Sequence, residues 1–185
     1  MLGGDDMARR SIQVAFCGIA AALSTVIMLI AGVLPTATYA LPALAGIFSI
    51  ALVIELNVGW AFASFVVSAA LSVLLVPDKS AVLLYCFFFG YYPILKALIE
   101  RIKWRWLAYL VKFAVFNAAV IAAYFTATNL LSIAVGNIVI FGISIPWVLL
   151  LIANAIFAVY DFAVSGLVVA YMKRLHPIFQ NWLRK

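Results

Sequence analysis

The chain has little charge, one histidine and two cysteines. Charged side chains make up 10% of its 185 residues, where a soluble domain carries about 25%. A soluble chain of this size leaves much of its surface in water, and so few polar groups would not cover it. Hydrophobic residues reach 69% and the mean hydropathy is +1.23. These figures exclude a soluble globular domain, a disordered chain and a nucleic-acid module. They point to a polytopic protein whose solvent is mostly lipid. The lone histidine, His176, stands in the tail before Pro177. An intramembrane metalloprotease needs histidine ligands within the membrane. An intramembrane serine protease needs a Ser–His pair in hydrogen-bond reach. His176 suits neither. There is no Walker lysine loop, and Cys17 and Cys86 sit in apolar runs without metal-ligand spacing. The expectation is a protein that is not an enzyme and uses no cofactor and no metal.

What is present is a series of apolar runs. A spanning helix needs about 20 mainly apolar residues, and six candidates appear, at 11–33, 41–54, 58–76, 81–99, 107–131 and 146–171. The first is too long for a signal-peptide core of about 7–15 residues and reads as an uncleaved span. It stops at Leu34-Pro35, because proline disfavours helical geometry in the residue before it. The second is short. The third ends at the turn Pro77-Asp78-Lys79-Ser80. Pro93 lies inside the fourth, where loss of a backbone hydrogen bond predicts a kink. Residues 132–144 hold Gly136, Asn137 and Gly142 among β-branched residues, and suit a lid, a loop or a re-entrant piece. The fold expected is all-α, a single six-helix membrane domain over 1–185.

The basic residues give the orientation. Six spans place eleven of the twelve Lys and Arg on one face, and Lys79 alone on the other. The positive-inside rule makes the rich face cytoplasmic, so both termini are expected inside. The net charge of +6 therefore reads as topology, not as a nucleic-acid footprint. Trp104 and Trp106 interleave with Arg101, Lys103 and Arg105, as indoles do at the headgroup level.

Three sets of side chains stand out. Asp161, in the last span, is costly in lipid and calls for a buried partner. Lys112 or Asn117 of the fifth span would serve, and a structural Asp161–Lys112 ion pair is the plainer reading beside a coupling or substrate role. The outer end carries Thr36, Thr38, Tyr39, Asp78, Lys79, Ser80, Tyr85, Asn129, Asn137, Trp147 and Asn154. Polar and aromatic groups converging at one mouth of a bundle suit a small-molecule pocket. Taken singly, each is as well explained by loop polarity or interface anchoring. Third, Ala15, Gly18 and Ala22 form a small-residue stripe on the first helix. Such spacing lets another helix approach closely, either inside the bundle or from a separate membrane protein.

Span number, termini, length and the segment Arg9-Arg10 followed by Ala15, Gly18 and Ala22 together resemble the substrate-binding S component of energy-coupling factor (ECF) vitamin transporters. The first helix of that family carries an Ala-x-x-x-Ala-type surface that docks on a transmembrane coupling subunit. Gly18-x-x-x-Ala22 is the nearest match here, with glycine in place of the first alanine. The resemblance implies a plasma-membrane protein of a prokaryote that binds a vitamin or related micronutrient. Its pocket would use Thr38, Tyr39, Asp78, Lys79, Tyr85, Asn129, Trp147 and Asn154, with the segment around Asn137 as a lid. The implied partners are a coupling subunit, two ATP-binding subunits and the lipid bilayer. A second reading resembles the MreD-type cell-shape scaffolds, which need partner surfaces but no outer pocket. A self-contained ion-coupled carrier ranks lower, because a carrier has a polar site at the midplane and only asparagines and Asp161 are available.

Overall fold

The computed structural model describes residues 3–34, 37–130, 139–140, 143–144 and 146–177, with side chains over 10–34, 37–129 and 150–177. The described residues are mostly helical, with one short pair of strands. Among the described residues, five helical stretches are long and apolar enough to cross a membrane: Arg10–Val33, Val58–Leu75, Lys79–Ile99, Arg105–Asn129 and Leu150–Arg174. The second apolar run forms a shorter helix, Ala40–Glu55, of 16 residues. At 1.5 Å per residue it extends about 24 Å, short of a hydrocarbon layer of about 30 Å. The chain divides into two compact units, Met1–Lys103 and Trp104–Lys185.

The first unit holds α1 (Gly3–Val33), α2 (Ala40–Glu55), α3 (Val58–Leu75), α4 (Lys79–Leu84) and α5 (Tyr92–Ile99). α1 buries Cys17, Ala20, Ala21, Ser24, Thr25, Met28 and Ala31, a stripe at three- and four-residue spacing. Pro42 lies in the first turn of α2, where a missing N–H is harmless. Asn57 caps α3, its Oδ1 accepting from the Trp60 N–H at 3.1 Å.

Hydroxyls hold these helices together. Between helices in lipid the hydrophobic effect contributes little, so small residues and interhelical hydrogen bonds take its place. Ala61, Ser64, Ser68 and Ser72 are the buried face of α3. Ser64 donates to the Cys17 carbonyl of α1 at 3.1 Å. Ser68 Oγ lies 2.7 Å from the Tyr85 hydroxyl. Ser24 of α1 donates to the Ala45 carbonyl of α2 at 3.0 Å. Ser49 of α2 donates to the Gly90 carbonyl at 3.1 Å. Each such bond contributes about 0.6 kcal/mol on average. Gly46 lets α2 reach the Phe89 carbonyl, which a Cβ at this position would strike.

The fourth run departs from the expected proline kink. It is α-helical to Leu84, widens into a π-helical turn over Tyr85–Phe89, and restarts as α5 with Pro93 in the first turn. The Gly90 N–H bonds the Tyr85 carbonyl at 2.8 Å. A proline inside a continuous helix would clash with the carbonyl four residues back, which here is that of Phe89. Breaking the helix at Gly90–Tyr91 removes that clash, and Ser49 takes up the Gly90 carbonyl. Phe65 packs against this break, its ring 5.9 Å from those of both Tyr85 and Tyr91.

The second unit holds α6 (Arg105–Phe125), continued by a π-helical turn over Thr126–Leu130, and α7 (Pro146–Arg174). Between them Val139–Ile140 pairs antiparallel with Ile143–Ser144. The remainder of 132–144, including Asn137, lies outside the described residues. α6 and α7 run antiparallel, since Lys112 meets Asp161 while Asn117 meets Asn154.

Candidate functional site

The outer-loop set of the first unit is largely committed to helix ends. Asp78 caps α4: its Oδ1 accepts from the N–H groups of Ser80 at 2.9 Å and Ala81 at 3.3 Å. Its Oδ2 accepts from the Thr38 hydroxyl at 2.9 Å, tying the turn before α2 to the turn before α4. Lys79 folds back on the end of α3, donating to the carbonyls of Val73 at 2.9 Å and Val76 at 3.0 Å. Those carbonyls have no partner within the helix, and a cation suits that negative dipole end. Tyr85 points into the interior and is 1% exposed. Tyr39 is exposed. So Thr38 and Asp78 are brought together with Lys79 beside them, and Tyr85 is drawn away to Ser68. Thr36 lies outside the described residues.

In the second unit the polar side chains form a ladder. Lys112 Nζ is 3.2 Å from both carboxylate oxygens of Asp161, and 5.6 Å from the centre of the Tyr109 ring. Lys112 is buried and Asp161 half-buried. One turn further along, Phe157 stacks on Phe116 at 4.5 Å and meets Phe113 edge-on at 5.1 Å. Next comes a closed amide pair. Asn117 Nδ2 donates to Asn154 Oδ1 at 3.0 Å, and Asn154 Nδ2 donates to Asn117 Oδ1 at 3.1 Å. The second donor of each amide goes to its own helix, to the carbonyls of Phe113 and Leu150. An amide nitrogen has two donors, and both are used in each residue. Asn154 is therefore a brace between α6 and α7. Asn129 is exposed in the π-helical turn. Trp147 belongs to the first turn of α7, and its side chain lies outside the described residues.

The Lys112–Asp161 pair borders a groove of about 220 Å³, lined also by Tyr109, Phe113, Phe157 and Phe162. Sequence reasoning singles out the two charges but not these rings. The signal is the spacing: 109, 112, 113, 116 and 117 on α6, and 154, 157, 158, 161 and 165 on α7, each a three- and four-residue repeat.

The small-residue stripe of α1 faces outward. Ala15, Gly18 and Ala22 are exposed, opposite the buried face described above. A Cβ on Gly18 would meet nothing within 4 Å. Among the described residues no three His, Cys, Asp or Glu side chains gather closely enough to hold a metal ion. No family model, curated protein or solved structure matches this chain, and its function is argued from its own side chains.

Proposed function

We propose that this chain is the solute-binding membrane subunit of an ECF-type importer, docking on a coupling subunit through α1. The observation that carries the reading is the outward stripe Ala15, Gly18 and Ala22. Internal packing of the first unit uses the other face of α1, so the stripe is free for a close helix–helix contact of the kind that small residues permit. The coupling subunit would bring two ATP-binding subunits, and this chain performs no catalysis and carries no cofactor. In this reading α2 is a sixth, short crossing, both termini are cytoplasmic, and the membrane is the plasma membrane of a prokaryote. The distribution of Lys and Arg supports that orientation. The solute is a vitamin-sized micronutrient taken from outside, near Tyr39 and the Thr38–Asp78 bracket.

One observation favours a scaffold resembling the MreD-type proteins. Asp78, Lys79, Tyr85 and Asn154 all have partners inside the chain, and a scaffold needs no outer pocket. The two readings share the docking stripe and differ in solute binding. The docking test is co-purification with a coupling subunit. Gly18→Leu with Ala22→Leu leaves the fold intact and abolishes association. Retained association would remove the docking claim.

A further inference from the structure

The groove between α6 and α7 combines charge, aromatic walls and depth in a way that selects a ligand. Lys112 has 6% of its side chain exposed and Asp161 has 15%. Around them Tyr109 and Phe162 are well exposed, so the charges are reached past an open aromatic rim. Their depth follows from helix geometry. Seven residues separate Lys112 from Arg105 at the start of α6, or about 10 Å at 1.5 Å per residue. The polar layer on each side of a bilayer is about 5–8 Å thick, and Trp104 and Trp106 mark it here. The groove therefore lies where headgroups meet acyl chains.

Its charge is balanced. Lys112 and Asp161 offer one group of each sign, 3.2 Å apart. A ligand with both charges compensates both. The two Lys112–Asp161 contacts, at 3.2 Å each, are longer than the roughly 2.7–2.9 Å of a tight charge-assisted bond. The ammonium lies equally close to both carboxylate oxygens. A cation on the Asp161 carboxylate is held by hydrogen bonds only where it carries N–H groups. A primary ammonium supplies three N–H groups and a trimethylammonium supplies none. The ring faces attract the same cationic end.

We propose that this groove binds the headgroup of an ethanolamine phospholipid, its phosphate on Lys112 and its ammonium on Asp161 between Tyr109 and Phe162. The inference rests on α6 and α7 lying in a bilayer, and is independent of the solute and docking readings. The test is native mass spectrometry of the full chain, purified in detergent and titrated with phosphatidylethanolamine, phosphatidylcholine, phosphatidylglycerol or water-soluble O-phosphoethanolamine. The expected result is retention of phosphatidylethanolamine over the other two lipids by about fivefold or more, with no retention of the soluble headgroup. Phe162→Ala, at a residue 80% exposed and so harmless to folding, lowers that preference. Lys112→Met with Asp161→Leu removes it. Equal retention of the three lipids, a preference unchanged in Phe162→Ala, or equally tight binding of O-phosphoethanolamine would each overturn the proposal.

Discussion

Removing one charge of the Lys112–Asp161 pair is expected to cost far more than removing both. Lys112 is 5% exposed, so Asp161→Asn leaves an ammonium buried beside a neutral amide. Breaking a buried pair from one side costs about 3–5 kcal/mol. The amide still accepts one hydrogen bond from Nζ, which places the loss at about 3 kcal/mol, the low end of that range. Lys112→Met is milder, because the Asp161 carboxylate keeps 15% exposure and is the less deeply buried of the two charges. Lys112→Met with Asp161→Leu removes both desolvated charges and is close to neutral. The assay is a double-mutant cycle of Asp161→Leu, Lys112→Met and the variant carrying both, on the purified chain unfolded by SDS titration in mixed micelles. A coupling of at least about 3 kcal/mol is predicted, since one single variant alone loses that much and the double variant almost nothing. A double variant as unstable as the sum of the two single variants would refute the reasoning, because the charges would then not stabilise each other.

Further substitutions test the packing, each read by the same titration. Gly46→Ala drives a methyl into the Phe89 backbone carbonyl, and overpacking of this kind costs about 1–3 kcal/mol; wild-type stability would show that α2 does not approach the π-helical turn. Asp78→Ala removes the cap of α4 and its bond to Thr38, for a loss of about 1–2 kcal/mol, whereas Asp78→Asn retains most of it. Asn154→Ala opens the amide pair with Asn117 and costs about 0.6 kcal/mol, at most about 1.7; a larger loss would mean that the pair does more than brace two helices.

Much of the helical layout is legible because lipid imposes it. Backbone groups in a bilayer must be satisfied within the segment, so an apolar run has to be a helix, and Leu34-Pro35 and Pro77-Asp78 mark real ends. Asp161 and Lys112 are foreseeable partners for a similar reason, since a charge in such a helix has few alternatives. The position of the break near Pro93 is not legible. It depends on Ser49 receiving the Gly90 carbonyl and on Gly46 admitting the Phe89 carbonyl, and both residues lie some forty positions away. The serines of α3 are hidden likewise: Ser64, Ser68 and Ser72 repeat every four residues, but only tertiary packing decides whether such a row faces lipid or protein. The loop residues Asp78 and Lys79 look equally suited to a ligand and to a helix end. The structure gives them helix ends, because cap geometry is local and a pocket is not.

Solute binding separates the importer reading from the scaffold reading most directly. The measurement is a thermal-shift screen of the detergent-purified chain against a panel of vitamins and nucleobases, without ATP or partner subunits. A tight binder at a thousandfold excess over its dissociation constant stabilises by about 4 kcal/mol. The account predicts a large shift from one solute and none from the rest. A folded chain that shifts with no member of the panel would contradict it and leave the scaffold.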